Sequence, residues 1–207
     1  MRSLTVAALL AAITTFVAAL ALRAPDATLA VLAVAAVVVL TTWVAALHTT
    51  EEESGIALTS PAAAVTLTLV GRRSPTFLLP LIAAQVVGAI LGGLAALGLD
   101  GRLGGSLVWS EPTRVVTGVV VAVLAILAAW VVLAIDGGEH AAWASVPPVL
   151  AGASLGVGLA VALNPAVVLG LATAGLVSWT IAGIAAGAGL VASAIGAYAI
   201  TLVTPPE

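Results

Sequence analysis

The chain has 207 residues, of which 62% are hydrophobic and 7% charged, with a net charge of −3 and a mean hydropathy of +1.28. A soluble domain of this length needs far more polar surface, so the chain reads as an integral membrane protein, and its negative charge excludes a nucleic-acid partner. Cysteine and lysine are absent, which removes disulfides, iron–sulfur clusters and thiolate metal sites; no cofactor or metal is expected.

A hydrocarbon core about 30 Å thick takes roughly 20 helical residues. Apolar runs of that order divide the sequence into six predicted spans, approximately Leu4 to Leu22, Thr28 to Leu47, Phe77 to Leu99, Val115 to Ile135, Ala141 to Gly156 and Val177 to Val203. Arg2, the apolar run behind it and Ala19-Leu20-Ala21 imitate a cleavable secretory signal. Removing that stretch would break the symmetry between the two halves, so it is read as the first span.

Two apolar pieces are too short to cross. Ala62 to Val70 opens behind Ser60-Pro61-Ala62, and Ala166 to Thr173 behind Asn164-Pro165-Ala166, 104 residues further on. This is a half-length repeat. Proline suits the first turn of a helix, where its missing N–H has no partner to lose. Ser60 and Asn164 then fall at the N-cap, which favours both residue types. A proline or an asparagine in apolar surroundings is otherwise costly.

The arginines and acidic residues fall between or beside the apolar runs, which argues against a charge-driven pump and leaves no room for a soluble domain. Arg2, Arg72 and Arg73 would lie on one side and Arg23, Arg102 and Arg114 on the other, an even split that leaves the orientation open.

Residues 1–207 thus form one domain of two repeats, about 1–105 and 106–207, each in the order span, span, half-helix, span. Three spans per repeat make the second copy enter from the opposite face, so the repeat is inverted. The half-helices are expected to meet near the midplane, N-terminus to N-terminus. Each helix start carries roughly half a positive charge and unpaired N–H donors. That device repels cations and suits passive passage of small neutral solutes. The fold class expected is an all-α membrane protein of six transmembrane helices plus two re-entrant half-helices.

At these residues the chain resembles the aquaporin and aquaglyceroporin family, the major intrinsic proteins, whose hallmark is two Asn-Pro-Ala motifs on paired half-helices. Ser54-Gly55 leading through SPAAAVTL to Gly71-Arg72 is similar to the family's SG…NPAVTL…GR segment. Ile82 to Ile90, with Ala84-Gln85 and Gly88-Ala89, is similar to its third span, and Trp179 through Gly183, Gly187 and Ala188 to Tyr198 to its sixth. With arginine but no lysine and heavy Ala, Gly and Val usage, the chain resembles a divergent prokaryotic member.

The resemblance implies a multi-pass channel of the plasma (inner) membrane, a homotetramer with one pore per subunit, that passes small neutral solutes such as glycerol, or water, and performs no enzymatic chemistry. It also implies the pore motif, Ser60, Pro61, Ala62, Asn164, Pro165 and Ala166. By spacing, it implies a selectivity filter at Val39 or Leu40, Gly152, Val161 and Val167. Val167 stands where the family usually has arginine, which removes a charge and five donors and leaves a wide apolar constriction. Strict water selectivity is then not expected, and an apolar constriction can also close by dewetting. Ser60 shortens the first donor. Where the family has bracing glutamates, the first span offers Thr14 and Thr15, and the fourth has nothing polar between Val119 and Val132.

Other features have plainer readings. Gln85 is expected to clamp helices together, and Gly88/Gly92 and Gly183/Gly187 to permit close packing. Glu51, Glu52 and Glu53 read as a solvated run, or with His48 as a pH-sensing gate. Trp43, Trp109, Trp130, Trp143 and Trp179 read as an interfacial belt. Gly152-Ala153-Ser154-Leu155-Gly156 fits a GxSxG nucleophile pattern but lies in a predicted membrane helix and lacks the strand-to-helix elbow. The rival classes are a broken-helix transporter, for which no midplane ionisable site is visible, and a non-conducting scaffold of the same fold.

Overall fold

A computed structural model describes residues 2–23, 26–103, 111–136 and 164–203. Among these the chain is helical, with no strand. Five helices are long and apolar enough to cross a membrane: α1 (Arg2–Ala21), α2 (Ala27–Ala46), α4 (Leu78–Leu103), α5 (Arg114–Asp136) and α7 (Trp179–Val203). At 1.5 Å per residue the shortest, of 20 residues, is about 30 Å long. Two helices of nine residues each, α3 (Pro61–Leu69) and α6 (Pro165–Thr173), reach only about 14 Å. The predicted span Ala141 to Gly156 lies outside the described residues.

The few polar side chains inside the long helices, among them Thr15, Thr41, Gln85, Thr117 and Ser193, are buried, and residue size marks the same inner faces. On α1 the buried positions are largely Ala7, Ala11, Ala18 and Ala19, while Leu9 and Ile13 face outward. Helices in lipid gain little from hydrophobic burial against one another and associate through close van der Waals packing, which small residues permit.

Parallel seams follow from this. A Cβ on Gly88 would lie 2.6 Å from the carbonyl carbon of Ala8, and one on Gly92 would lie 3.0 Å from that of Ala12, so only glycine lets α4 sit against α1. The contacts advance in the same direction along both helices, which makes α1 and α4 parallel. In the second half Gly118 meets Ile184, Gly189 meets Val121, and Gly196 meets Ile126 and Ala129, so α5 and α7 are parallel too. Trp130 adds a hydrogen bond from its Nε1 to the Gly196 carbonyl at 3.1 Å. The indole thus has a structural bond beyond the interfacial role expected of it.

The short helices fill the space between these seams. α3 packs on α4, α5 and α7, and α6 packs on α7, α1 and α4. Exchanging the halves, α1 for α5, α4 for α7 and α3 for α6, reproduces this set of contacts. One buried apolar cluster includes Leu22, Val34, Val121, Val167 and Leu171, and another includes Leu58, Leu67, Leu81 and Ile135. Between them Ala11, Ala89 and Ala166 form a third, small cluster.

Candidate functional site

The segment before α3 is held from several sides. Gly55 follows the α2 turn closely: a Cβ there would lie 2.7 Å from the Thr49 nitrogen and 2.8 Å from the His48 carbonyl carbon. Its N–H donates to Thr49 Oγ1 at 3.0 Å. Residues Gly55–Leu58 form one buried 3-10 turn, capped by Ser54 Oγ, which accepts from the Ile56 N–H at 3.3 Å. Gln85, fully buried on α4, donates from Nε2 to the Ala57 carbonyl at 2.9 Å. Gln85 therefore clamps a turn rather than a second helix. The Thr59 backbone N–H and hydroxyl both donate to the Ile56 carbonyl.

Both motif residues cap their helices, as the sequence predicts. Ser60 Oγ accepts from the Ala63 N–H at 3.0 Å, and Pro61 opens α3. Asn164 Oδ1 accepts from the N–H groups of Ala166 at 3.1 Å and Val167 at 3.4 Å, and Pro165 opens α6. The Asn164 Nδ2 group then donates to the Thr59 carbonyl at 3.1 Å, beside Ser60. The N-terminal ends of the two short helices thus meet across 105 residues of sequence, with their partial positive charges on one spot. Among the described residues, one Nδ2 hydrogen of Asn164 and the hydroxyl hydrogen of Ser60 remain as donors by the chemistry of the groups.

The far ends match as well. Gly71 and Gly175 adopt φ of 77° and 71°, the left-handed conformation that glycine enters without strain. Around them Arg72 N–H bonds the Leu67 carbonyl and Gly71 N–H that of Thr68, while Leu176 N–H bonds Leu171 and Gly175 N–H bonds Ala172. This is the same C-terminal cap, a Schellman motif, in both copies. The glycines are again 104 residues apart, a signal present in the sequence itself.

Polar groups close the base of the α3 segment. Ser54 N–H donates to the Arg72 carbonyl at 3.0 Å, and Arg73, 4% exposed, donates from Nη1 to the Ser54 carbonyl at 3.0 Å. Arg73 also lies 3.4 Å from Glu53 and over the Phe77 ring. Arg72 Nε pairs with Asp136 at 2.7 Å, tying the exit of α3 to the end of α5. So Glu53 belongs to this lock, while Glu51 and Glu52 are exposed. His48, in the turn just past α2, bonds through Nδ1 to the Val44 carbonyl of that helix at 2.9 Å.

Of the implied filter positions, Val167 is fully buried in the core cluster that includes Val121 and Leu171. Val39 is half-buried and Leu40 exposed. Gly152 and Val161 lie outside the described residues, as do the GxSxG pattern, Trp109, Trp143 and His140. Thr14 bonds back to the Leu10 carbonyl, and Thr15 Oγ1 is buried without a hydrogen-bond partner, so among the described residues neither braces a loop. Gly88 and Gly92 pack as expected, but Gly183 and Gly187 are exposed, with no described atom within 4 Å of an added Cβ.

Compared with protein-family models and with curated proteins, the chain matches none.

Proposed function

We propose that this chain is a passive transmembrane channel of the aquaporin kind, with six crossing helices and two re-entrant half-helices, that passes small neutral solutes and excludes cations. The observation that carries the reading is the bond from Asn164 Nδ2 to the Thr59 carbonyl, which brings two capped helix starts from opposite halves together.

A re-entrant path for α3 is supported by two facts. Helix α2 returns along α1 after a short connection, and α4 runs parallel to α1, so the chain between α2 and α4 leaves and re-enters at one face. The bonds of Ser54 to Arg72 and Arg73 join the start and finish of that excursion. A helix of nine residues reaches about halfway through a core about 30 Å thick.

At the meeting point a cation faces two positive helix ends with no carboxylate among the described residues to offset them. A neutral molecule with lone pairs finds donors in the Asn164 amide and the Ser60 hydroxyl. In this reading Gly152, Val161, Val167 and Val39 or Leu40 set the width, and no covalent chemistry occurs. Assembly as a homotetramer in the plasma membrane belongs to the same proposal.

The complete burial of Val167 favours a second reading, a closed or non-conducting scaffold of this fold. Proteoliposomes challenged with glycerol, urea and an impermeant sugar separate the two. A channel gives solute-driven reswelling faster than empty vesicles and no ionic current in a planar bilayer, and Val167→Ala widens the range of solutes. A scaffold leaves every rate at the empty-vesicle value.

A further inference from the structure

The chain contains one asparagine and one glutamine, and both side-chain amides donate to the same short piece of backbone. Gln85 comes from α4 and reaches Ala57; Asn164 comes from the other half and reaches Thr59, two residues on. We infer that Gln85 is a positioning residue for Asn164: by holding the Ala57 carbonyl it fixes the Thr59 carbonyl, and so sets the direction in which Asn164 presents its second amide hydrogen.

The intervening backbone transmits position well. Thr59 is bound twice to Ile56, once through its N–H and once through its hydroxyl at 2.8 Å, so it moves with the turn. The turn is buried throughout, and Arg73 anchors its base at the Ser54 carbonyl. Among the described residues the Asn164 side chain has three restraints. Two act on Oδ1 and come from its own helix, and the third acts on Nδ2 and comes from Thr59. Without the third, the amide plane pivots about its oxygen, and the remaining hydrogen loses its aim. A buried glutamine in a membrane span is costly to desolvate, and a bond to a turn carbonyl rather than to a neighbouring helix gives it a specific reason to be there. The consequence for permeation rests on the channel reading; the geometric coupling does not.

Because each residue type occurs once, uniformly ¹⁵N-labelled protein in nanodiscs yields one asparagine and one glutamine side-chain NH₂ pair. Gln85→Met keeps length and apolar volume and removes the donor. The Asn164 pair is expected to shift, and exchange of its bonded hydrogen with water to rise about tenfold, the factor one intramolecular hydrogen bond allows. Trp130→Phe removes a bond between α5 and α7 and is expected to leave the Asn164 pair in place, which separates aim from general loosening. Arg73→Lys, which loosens the same turn from its base, is expected to shift the pair in the same direction by less, and carries the test if Gln85→Met does not fold. An Asn164 pair unmoved by the substitutions at Gln85 or Arg73, or moved equally by Trp130→Phe, overturns the inference. Conduction assays on the same samples keep the claims apart: a shifted pair in a non-conducting protein sinks the channel and spares the coupling, while an unmoved pair in a conducting one does the reverse.

Discussion

Glycine to alanine has opposite predicted signs at Gly88 and Gly183, although both are helical and both belong to GxxxG pairs. Alanine is favoured over glycine in a helix interior by up to about 1 kcal/mol, so the substitution stabilises wherever space is open. At Gly183 no described atom lies within 4 Å of the new Cβ, and a gain of about 0.5–1 kcal/mol is expected. At Gly88 the Cβ would lie 2.6 Å and 2.7 Å from the carbonyl carbon and Cα of Ala8, and nearer still to its oxygen. All three atoms are backbone, so no rotamer change relieves the overlap, and α1 must move away from α4. Overpacking costs about 1–3 kcal/mol, and widening the seam by about 0.5–1 Å forfeits a quarter to a half of its dispersion contacts. A net loss of about 2 kcal/mol is expected after the propensity gain. Equilibrium unfolding in mixed micelles with increasing dodecyl sulfate, followed by tryptophan fluorescence and circular dichroism, measures both variants. Gly88→Ala as stable as the parent, or Gly183→Ala as damaging as Gly88→Ala, refutes the parallel glycine seam.

Three further outcomes follow from the site. Arg72→Gln leaves the Asp136 carboxylate, whose side chain is 6% exposed, without its partner and should cost about 1–3 kcal/mol in the same assay; the double variant with Asp136→Asn should recover part of that loss, and no recovery would argue against the pair. Ser60→Ala removes the N-cap of α3 and should cost about 0.5–2 kcal/mol, whereas Ser60→Asn, which keeps a capping oxygen, should cost little. Gly71→Ala and Gly175→Ala place a side chain at positive φ and should each lose about 1–2 kcal/mol; unequal losses would mean that the two caps do not bear equivalent strain.

Local chemistry was the legible part. The motifs predict Ala62 to Val70 and Ala166 to Thr173, and the observed helices begin one residue earlier because proline itself occupies the first turn. Three of the long helices follow the apolar runs closely; α4 runs on to Leu103, four residues past the predicted end and through the charged stretch read as a connection, and α7 starts two residues later than predicted, behind Ser178, whose Oγ accepts from the Ile181 N–H. Long-range partners were not legible. Arg73 reads as a loop charge yet is 4% exposed, because its burial depends on Ser54, Glu53 and Phe77 closing around it. Gln85 reads as a clamp between helices, but its target is a turn carbonyl 28 residues away, of which periodicity gives no sign. The Arg72–Asp136 pair spans 64 residues and has no local signal at all. The fixed spacing of 104 residues, by contrast, could have been extended from the prolines to Gly71 and Gly175, and on to Gly92 and Gly196, which serve the α1–α4 and α5–α7 seams.

The most direct test of the central claim is stopped-flow light scattering of proteoliposomes under a glycerol gradient, with the parent protein and Asn164→Asp side by side. The channel reading predicts reswelling well above empty vesicles for the parent. It also predicts a changed rate for the variant, accompanied by a cation leak as the new carboxylate offsets the positive helix ends. Parent vesicles that swell no faster than empty ones, or a variant indistinguishable from the parent, would contradict it.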